Sequence, residues 1–289
     1  MPTPLRRLKR ALRKKGAPRH LVEGAVRSQA LGRDVRFATL SPPGSEESGD
    51  LPMLLLLHGL GDDHLALDDF GVSTALLDAI AAGRLPPFHV IAPDGGRGFW
   101  IDWHDGSRRY EACVLRDVLP AAERLLGVAP SRDRRHVLGV SMGGIGALHV
   151  GLRHPELFAS AASLSGAILD EAQAVRFSRE SYFRWLVPLD RIFGDGSDRA
   201  FLEAHNPFAV TRRRGAPLGQ RLFLAAGDGE TPFFTATTRA FHEHLERLGA
   251  AHAYEEYPGG HGWRFWAPVI ERAIRHALGT DEAQAHGPH

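Results

Sequence analysis

The stretch "HVLGVSMGGIGALHV", residues 136–150, decides how the fold is interpreted. It opens with an apolar run typical of a buried strand and continues in small residues at helical spacing. Ser141 lies where these two patterns meet, with Gly139 and Gly143 on either side. Glycine is needed where the backbones of a strand and a helix approach closely, and a serine at such a turn stands clear of the sheet. The stretch therefore predicts a nucleophile elbow at Ser141.

A Gly-x-Ser-x-Gly pattern also occurs in turns that carry no chemistry, so the prediction depends on partners elsewhere in the chain. A serine hydroxyl is a weak nucleophile at neutral pH and needs a base, which in turn needs an orienting group. His261 follows the last predicted strand, and Asp228 and Glu230 follow the strand before it. The order serine, acid, histidine is that of the α/β-hydrolases. We therefore predict a triad of Ser141, His261 and one of the two carboxylates.

The choice between the carboxylates depends on the turn "GDGE", residues 227–230. In many hydrolases of this kind the acid lies at the fourth position of such a turn, which favours Glu230 and leaves Asp228 as the alternative. Asp228 is then interpreted as a turn residue whose side chain bonds its own backbone two residues further on.

The reaction also needs backbone donors for the oxyanion. We predict the amides of Met142, directly after the nucleophile, and Leu60, in the glycine turn of "LLLLHGLGDD". His58, Asp102 and Trp103 are predicted to contact the substrate. For His58 a buried structural role in the loop is favoured over a catalytic one, and for Trp103 core packing at the loop base is an equal alternative.

Apolar runs that alternate with helical patterns predict a mostly parallel sheet with helices on both faces, preceded by an antiparallel edge pair. The predicted strands are Asp34 to Leu40, Met53 to Leu57, Phe88 to Ala92, His136 to Val140, Ala159 to Leu164, Leu222 to Ala226 and His252 to Tyr257. The predicted domains are a basic arm (1–24), an α/β-hydrolase domain (25–279) with a lid-like insertion (167–217), and a flexible tail (280–289).

Composition excludes several classes of protein. The chain has 289 residues, 43% of them hydrophobic, and a formal net charge of +1, which gives no indication of nucleic-acid binding. Cys113 is its only cysteine, so no intrachain disulfide can form, which fits a reducing compartment. No run of apolar residues is long enough to span a bilayer, and no secretory signal is recognised. A cytoplasmic location is expected.

The basic arm carries eight Lys or Arg residues within positions 1–20 and no acidic residue. A weak contact of this arm with an anionic surface is one interpretation, and a solvated arm is the alternative. The histidines show no local metal-binding spacing such as His-Glu-x-x-His, so we expect neither a metal ion nor another cofactor.

The segments "LLLLHGLGDD", "HVIAPDGGRGFWIDWHDG", "GVSMGGIGAL", "GDGE" and "YPGGHGW" resemble the putative-esterase branch of the α/β-hydrolases. That branch includes S-formylglutathione hydrolase (esterase D), feruloyl and enterochelin esterases, and mycolyltransferases. The resemblance covers Arg33 to Leu278 and implies a metal-free serine hydrolase with the triad described above. A glutamate in the acid position departs from the aspartate of esterase D.

The predicted activity is cleavage of a small-molecule carboxylic ester or thioester through an acyl-serine intermediate. One alternative is acyl transfer, in which an alcohol replaces water in the second step. The other is a binding protein that has kept the fold, and a complete triad argues against it.

Overall fold

The computed structural model of the protein describes residues 20–45, 50–180 and 187–281. Its centre is an eight-stranded sheet in the order β1-β2-β4-β3-β5-β6-β7-β8. The strands are β1 (Val22–Ser28), β2 (Arg33–Leu40), β3 (Met53–Leu57), β4 (His89–Pro93), β5 (Arg135–Val140), β6 (Ser160–Leu164), β7 (Arg221–Gly227) and β8 (Ala253–Tyr257). Strands β3 to β8 are parallel, whereas β1 and β2 form an antiparallel pair at one edge. The predicted α/β architecture and the antiparallel edge pair are confirmed.

Helices cover both faces of the sheet. They are α1 (Ala66–Asp69), α2 (Val72–Ala81), α3 (Tyr110–Ala112), α4 (Leu119–Leu126), α5 (Met142–Arg153), α6 (Glu171–Glu180), α7 (Leu189–Phe193), α8 (Arg199–His205), α9 (Pro207–Arg214), α10 (Pro232–Arg247) and α11 (Trp263–Leu278). A π-helical segment, Cys113–Val118, joins α3 to α4 where the sequence pattern predicts one uninterrupted α-helix.

Alternation along the buried strands builds two cores. In β3, Leu55 and Leu57 pack with α4 and α5 on one face, whereas Leu54 and Leu56 pack with α2 and α11 on the other. All five residues of β3 are buried, as expected for a central parallel strand covered on both sides. The sheet lies between these two cores. Because β3 and β5–β8 are parallel, the loops at their carboxyl ends all leave the sheet at the same edge.

The domain boundaries differ slightly from the prediction, because β1 begins at Val22, inside the segment predicted as an arm. Between β6 and β7, at the place of the predicted insertion, the described residues form four helices, α6 to α9. The anionic-surface contact of the arm falls on residues 1–19, and most of the predicted tail falls on 282–289; both lie outside the described residues. Among the described helices, none has the length and apolar character required to cross a membrane.

Candidate active site

Ser141 occupies the turn between β5 and α5 with backbone angles φ 56° and ψ −118°. A residue with a side chain adopts such angles only when the surrounding structure holds it there. The Ser141 amide donates to the Leu164 carbonyl at 2.8 Å, which ties the turn to the end of β6. The local conformation is that of the predicted nucleophile elbow.

The two flanking glycines are required by close backbone packing. A Cβ atom on Gly139 would lie 1.9 Å from the Gly143 carbonyl oxygen, and one on Gly143 would lie 1.9 Å from the Leu57 carbonyl oxygen. Both distances are far inside van der Waals contact and involve backbone atoms, which cannot rotate away. The sequence interpretation of these glycines thus has a direct steric basis.

We expect Gly143→Ala to lower the free energy of unfolding by about 3 kcal/mol or more, because the methyl group would push α5 away from β3. Gly262→Ala is the matched control, since a Cβ at Gly262 meets no atom within 4 Å. Urea unfolding of both variants measures the difference. A Gly143→Ala variant as stable as Gly262→Ala would contradict the packing at the elbow.

A continuous hydrogen-bonded chain links the three predicted triad residues. Nε2 of His261 lies 2.8 Å from Ser141 Oγ, and its Nδ1 lies 2.9 Å from Glu230 Oε2. Ser141 follows β5, Glu230 follows β7 and His261 follows β8, so the parallel sheet brings them to one edge. The predicted acid Glu230, and not Asp228, is the carboxylate that contacts the imidazole.

The Glu230 side chain is fully buried and each of its oxygens has a partner. Oε1 accepts from the Gly227 amide at 2.9 Å, from the Ser165 hydroxyl and from the Tyr257 hydroxyl at 3.3 Å. Burial raises the pKa of this carboxyl, but the hydrogen bonds from His261, Ser165 and Gly227 outweigh burial and hold the pKa below its ordinary value. Glu230 is therefore ionised at neutral pH and fixed in place.

Asp228 has a different role from the one predicted. Its Oδ1 accepts from the amide of Gly259, in the loop that carries His261, at 3.0 Å. The prediction of a bond to its own backbone two residues further on is therefore wrong: the turn is closed by the Glu230 amide, which donates to the Gly227 carbonyl at 3.3 Å. The physical reason is the short distance between the β7 and β8 loops, which local sequence does not reveal. Asp228 ties these two loops together.

Aromatic rings hold the imidazole on two sides. The ring of Phe234 stacks on His261 with centroids 4.0 Å apart, and Trp266 meets it edge-on at 5.0 Å. Trp266 also donates from Nε1 to Ser165 Oγ at 2.9 Å, which extends the network behind Glu230. Sequence reasoning missed Phe234, Ser165 and Tyr257. The position of Ser165, directly after a strand, was the one available signal.

The two predicted oxyanion donors belong to segments that border Ser141. Met142 is the first residue of α5, and the first amides of a helix have no partner within it. Leu60 lies in the loop after β3. The preceding residue, Gly59, is so close to Ser141 that a Cβ on Gly59 would lie 3.3 Å from the serine Cβ. The predicted oxyanion role of both amides is compatible with these positions.

The three residues predicted to contact substrate have partners within the protein. His58 is buried, with Nδ1 2.8 Å from the Gly59 carbonyl and Nε2 accepting from the Gly95 amide at 3.1 Å. Burial lowers the pKa of His58, so the ring is neutral. Its two hydrogen bonds link the loops after β3 and β4, which is the structural role favoured from the sequence. Direct substrate contact by His58 would require breaking this pairing.

Asp102 accepts from the Ala112 amide at 2.9 Å and pairs with Arg109 at 3.6 Å, so it holds the start of the helix that begins at Tyr110. Trp103 is half-buried, donates from Nε1 to the Gly98 carbonyl at 3.2 Å and lies under the Arg191 guanidinium. These contacts favour a structural role in the loop after β4.

An apolar pocket opens between α5, the helix that follows Ser141, and the insertion. Ile145, one turn after Ser141, lines it together with residues of the loops after β4 and β6 and of the insertion: Phe99, Ile101, Ala167, Leu169, Phe177, Phe193, Phe201 and Leu202. Among the described residues that line it, the polar side chains are His149, His205 and Asn206. A pocket of this kind suits an apolar group.

Together, the sheet, the elbow and the hydrogen-bonded chain define an α/β-hydrolase. The sequence model of the family described as "Putative esterase" matches residues 28–277, and the chain belongs to this family. The resemblance predicted from the sequence is thereby confirmed.

Relatives and solved structures agree with this assignment. Esterase Rv1288 of Mycobacterium tuberculosis is 30% identical over 82% of the chain, and an acetyl esterase of Caldicellulosiruptor saccharolyticus is 24% identical over 79% of the chain and 84% of its own length. The chain spans about half the length of Esterase Rv1288, 54%. The S-formylglutathione hydrolase FrmB of Staphylococcus aureus shares the fold with a TM-score of 0.70 and 20% identity, over 89% of this chain and 98% of its own.

Proposed function

We propose that the protein hydrolyses a small-molecule carboxylic ester or thioester through an acyl-serine intermediate. The observation that carries this proposal is the chain from Ser141 Oγ through His261 to Glu230, with links of 2.8 and 2.9 Å. These are the distances that proton transfer from a serine to a histidine requires. The esterase family of the chain supports the same chemistry.

In the first half-reaction, Ser141 Oγ attacks the substrate carbonyl carbon while His261 Nε2 takes the hydroxyl proton. The negative charge that develops on the carbonyl oxygen is stabilised by the amides of Leu60 and Met142. His261 then returns the proton to the leaving alcohol or thiol, and the acyl group stays on the serine. Glu230 holds the imidazole in the tautomer that leaves Nε2 free to accept, and it stabilises the imidazolium.

In the second half-reaction, water attacks the acyl-serine while His261 takes a proton from it; the bond to Ser141 Oγ then breaks, the carboxylic acid leaves, and His261 returns the proton to Ser141 Oγ. His261 is 28% exposed, so water reaches it, whereas Glu230 is sealed beneath it. The apolar pocket beside Ile145 is the proposed site of the acyl group. Ile145 lies one helical turn after Ser141 on α5, so the pocket it lines suits an acyl group attached to Ser141 Oγ.

The experiment that tests the acyl-serine compares two esters that share an acyl group but differ in their leaving alcohols. Both are turned over in the presence of a second alcohol as acceptor, and the ratio of free acid to new ester is measured. A common acyl-serine requires the same ratio from both substrates, with free acid in excess. A ratio that changes with the leaving group would contradict the intermediate, and new ester in excess would assign the protein to acyl transfer.

A further inference from the structure

A second cluster of titratable side chains borders the same pocket: His149 and His205 line it, and Glu111 contacts His149. Glu111, His149 and His205 each offer one possible ligand atom, and these three atoms lie within 4.8 Å of one another. Glu111 is on α3, His149 on the nucleophile helix α5, and His205 at the end of α8 in the insertion. Glu111 and His149 are buried and His205 is half-buried.

The hydrogen bonds of the two imidazoles prepare them as ligands. His205 Nδ1 lies 2.7 Å from the Phe201 carbonyl oxygen, and His149 Nδ1 lies 3.2 Å from the carbonyl oxygen of His205. A carbonyl oxygen only accepts, so each Nδ1 carries the proton and each Nε2 is left with a lone pair. Metal-binding histidines in proteins are commonly oriented by this kind of bond.

The contact between His149 and Glu111 needs a positive charge. Nε2 of His149 is within hydrogen-bonding distance of Glu111 Oε2, and both atoms are acceptors when the imidazole is neutral. The Arg153 guanidinium, which contacts both atoms, supplies that charge in the metal-free protein, and His154 Nε2 lies 2.8 Å from the second oxygen of Glu111; a bound cation would take the place of Arg153.

We propose that Glu111, His149 and His205 form a zinc-binding site that ties the insertion to the nucleophile helix. Two imidazole nitrogens and one carboxylate oxygen are a ligand set that zinc accepts, with a fourth position left open. Ligands of tetrahedral zinc lie about 3.4 Å apart, and the three atoms here lie within 4.8 Å of one another, so the side chains need to close by about 1.4 Å at most. His149 and His205 line the apolar pocket, which gives the ion a way in. The site lies apart from the triad and holds the insertion in place.

Arg153 opposes the cation. Its Nη1 contacts Glu111 Oε2 and lies 3.3 Å from His149 Nε2. The Arg153 side chain is 24% exposed and can turn toward solvent when zinc arrives. Removing the charge of Arg153 is therefore expected to raise the affinity for zinc, whereas removing a ligand lowers it.

The test titrates zinc into the full chain, freed of metal by a chelator, against a chromophoric competitor at neutral pH. We expect one zinc per chain and an affinity that falls about 100-fold or more in His205→Gln. Arg153→Gln is expected to bind zinc about tenfold more tightly. His242→Gln is the matched control, because His242 Nδ1 lies 2.8 Å from His252 Nε2 in a separate histidine pair.

A purely structural cluster would give a different pattern. Arg153→Gln would then be less stable with no gain in zinc affinity, and that result would overturn the proposal even if His205→Gln failed to fold. Loss of zinc binding in His242→Gln alone would assign the zinc site to the pair of His242 and His252, and this result would also overturn the proposal. The visible spectrum of bound cobalt(II) gives a second measurement, because replacement of an imidazole by an amide changes it only when the imidazole is a ligand.

Discussion

Ser141→Ala is expected to lower ester turnover by about 10⁴- to 10⁶-fold, and His261→Ala by a similar factor. The reason is that the 2.8 Å contact between Ser141 Oγ and His261 Nε2 makes one functional unit, which either substitution removes. The double variant is therefore expected to be little worse than either single variant. Steady-state kcat on a chromogenic ester measures all three.

Ser107→Ala provides the control, because Ser107 is an exposed serine that bonds Asp105 in a surface loop. It should retain full turnover. If the losses in Ser141→Ala and His261→Ala multiply in the double variant, the two groups act independently and the shared mechanism is wrong. Thermal unfolding of each variant shows that the fold is intact.

Glu230→Gln is expected to lower kcat by about 10³-fold or more with little change in fold. Ser165 Oγ accepts from Trp266 Nε1 and donates to Glu230 Oε1, and the Gly227 amide donates to the same oxygen. The glutamine must therefore keep its carbonyl oxygen at that position, and its NH₂ group then faces His261 Nδ1. A donor there forces the imidazole proton onto Nε2, which can no longer accept from Ser141.

Asp228→Asn is the matched control for Glu230→Gln. Asparagine keeps an oxygen that accepts from the Gly259 amide, so the loop that carries His261 stays in place. We expect less than a tenfold loss of kcat. The reverse ranking of the two variants, at equal thermal stability, would assign the acid role to Asp228.

The sequence predicted the parts of the site that depend on strand order. Ser141, Glu230 and His261 each follow a strand of one parallel sheet, so recognising the strands was enough to bring these residues to one edge. The glycines of the elbow were equally predictable, because their steric requirement is local. The uninterrupted apolar run of Leu54 to Leu57 indicated a buried strand.

Features that depend on contacts between distant segments were not predictable. Asp228 bonds a neighbouring loop, not its own turn, because β7 and β8 end side by side. The stacking of Phe234 on His261 and the anchoring of Glu230 by Ser165 join residues that are far apart in the chain. The π-helical segment from Cys113 to Val118 has no signature in the hydrophobic pattern.

The cluster of Glu111, His149 and His205 shows the same limit. The sequence predicted no metal, because no two ligands there have a recognisable local spacing. The three residues come from three helices and meet only when the insertion packs on the body of the protein. Local motifs find sites built within one element, whereas sites built between elements need the fold.

Reaction of the folded protein with a fluorophosphonate probe tests the central claim most directly. Such a probe bonds covalently to a serine only where a base activates it and the oxyanion is stabilised. We predict one label per chain, on Ser141 when the peptides are mapped by mass spectrometry, and no label in His261→Ala or in the unfolded chain. A folded protein that turns over esters while Ser141 stays unlabelled would contradict the account.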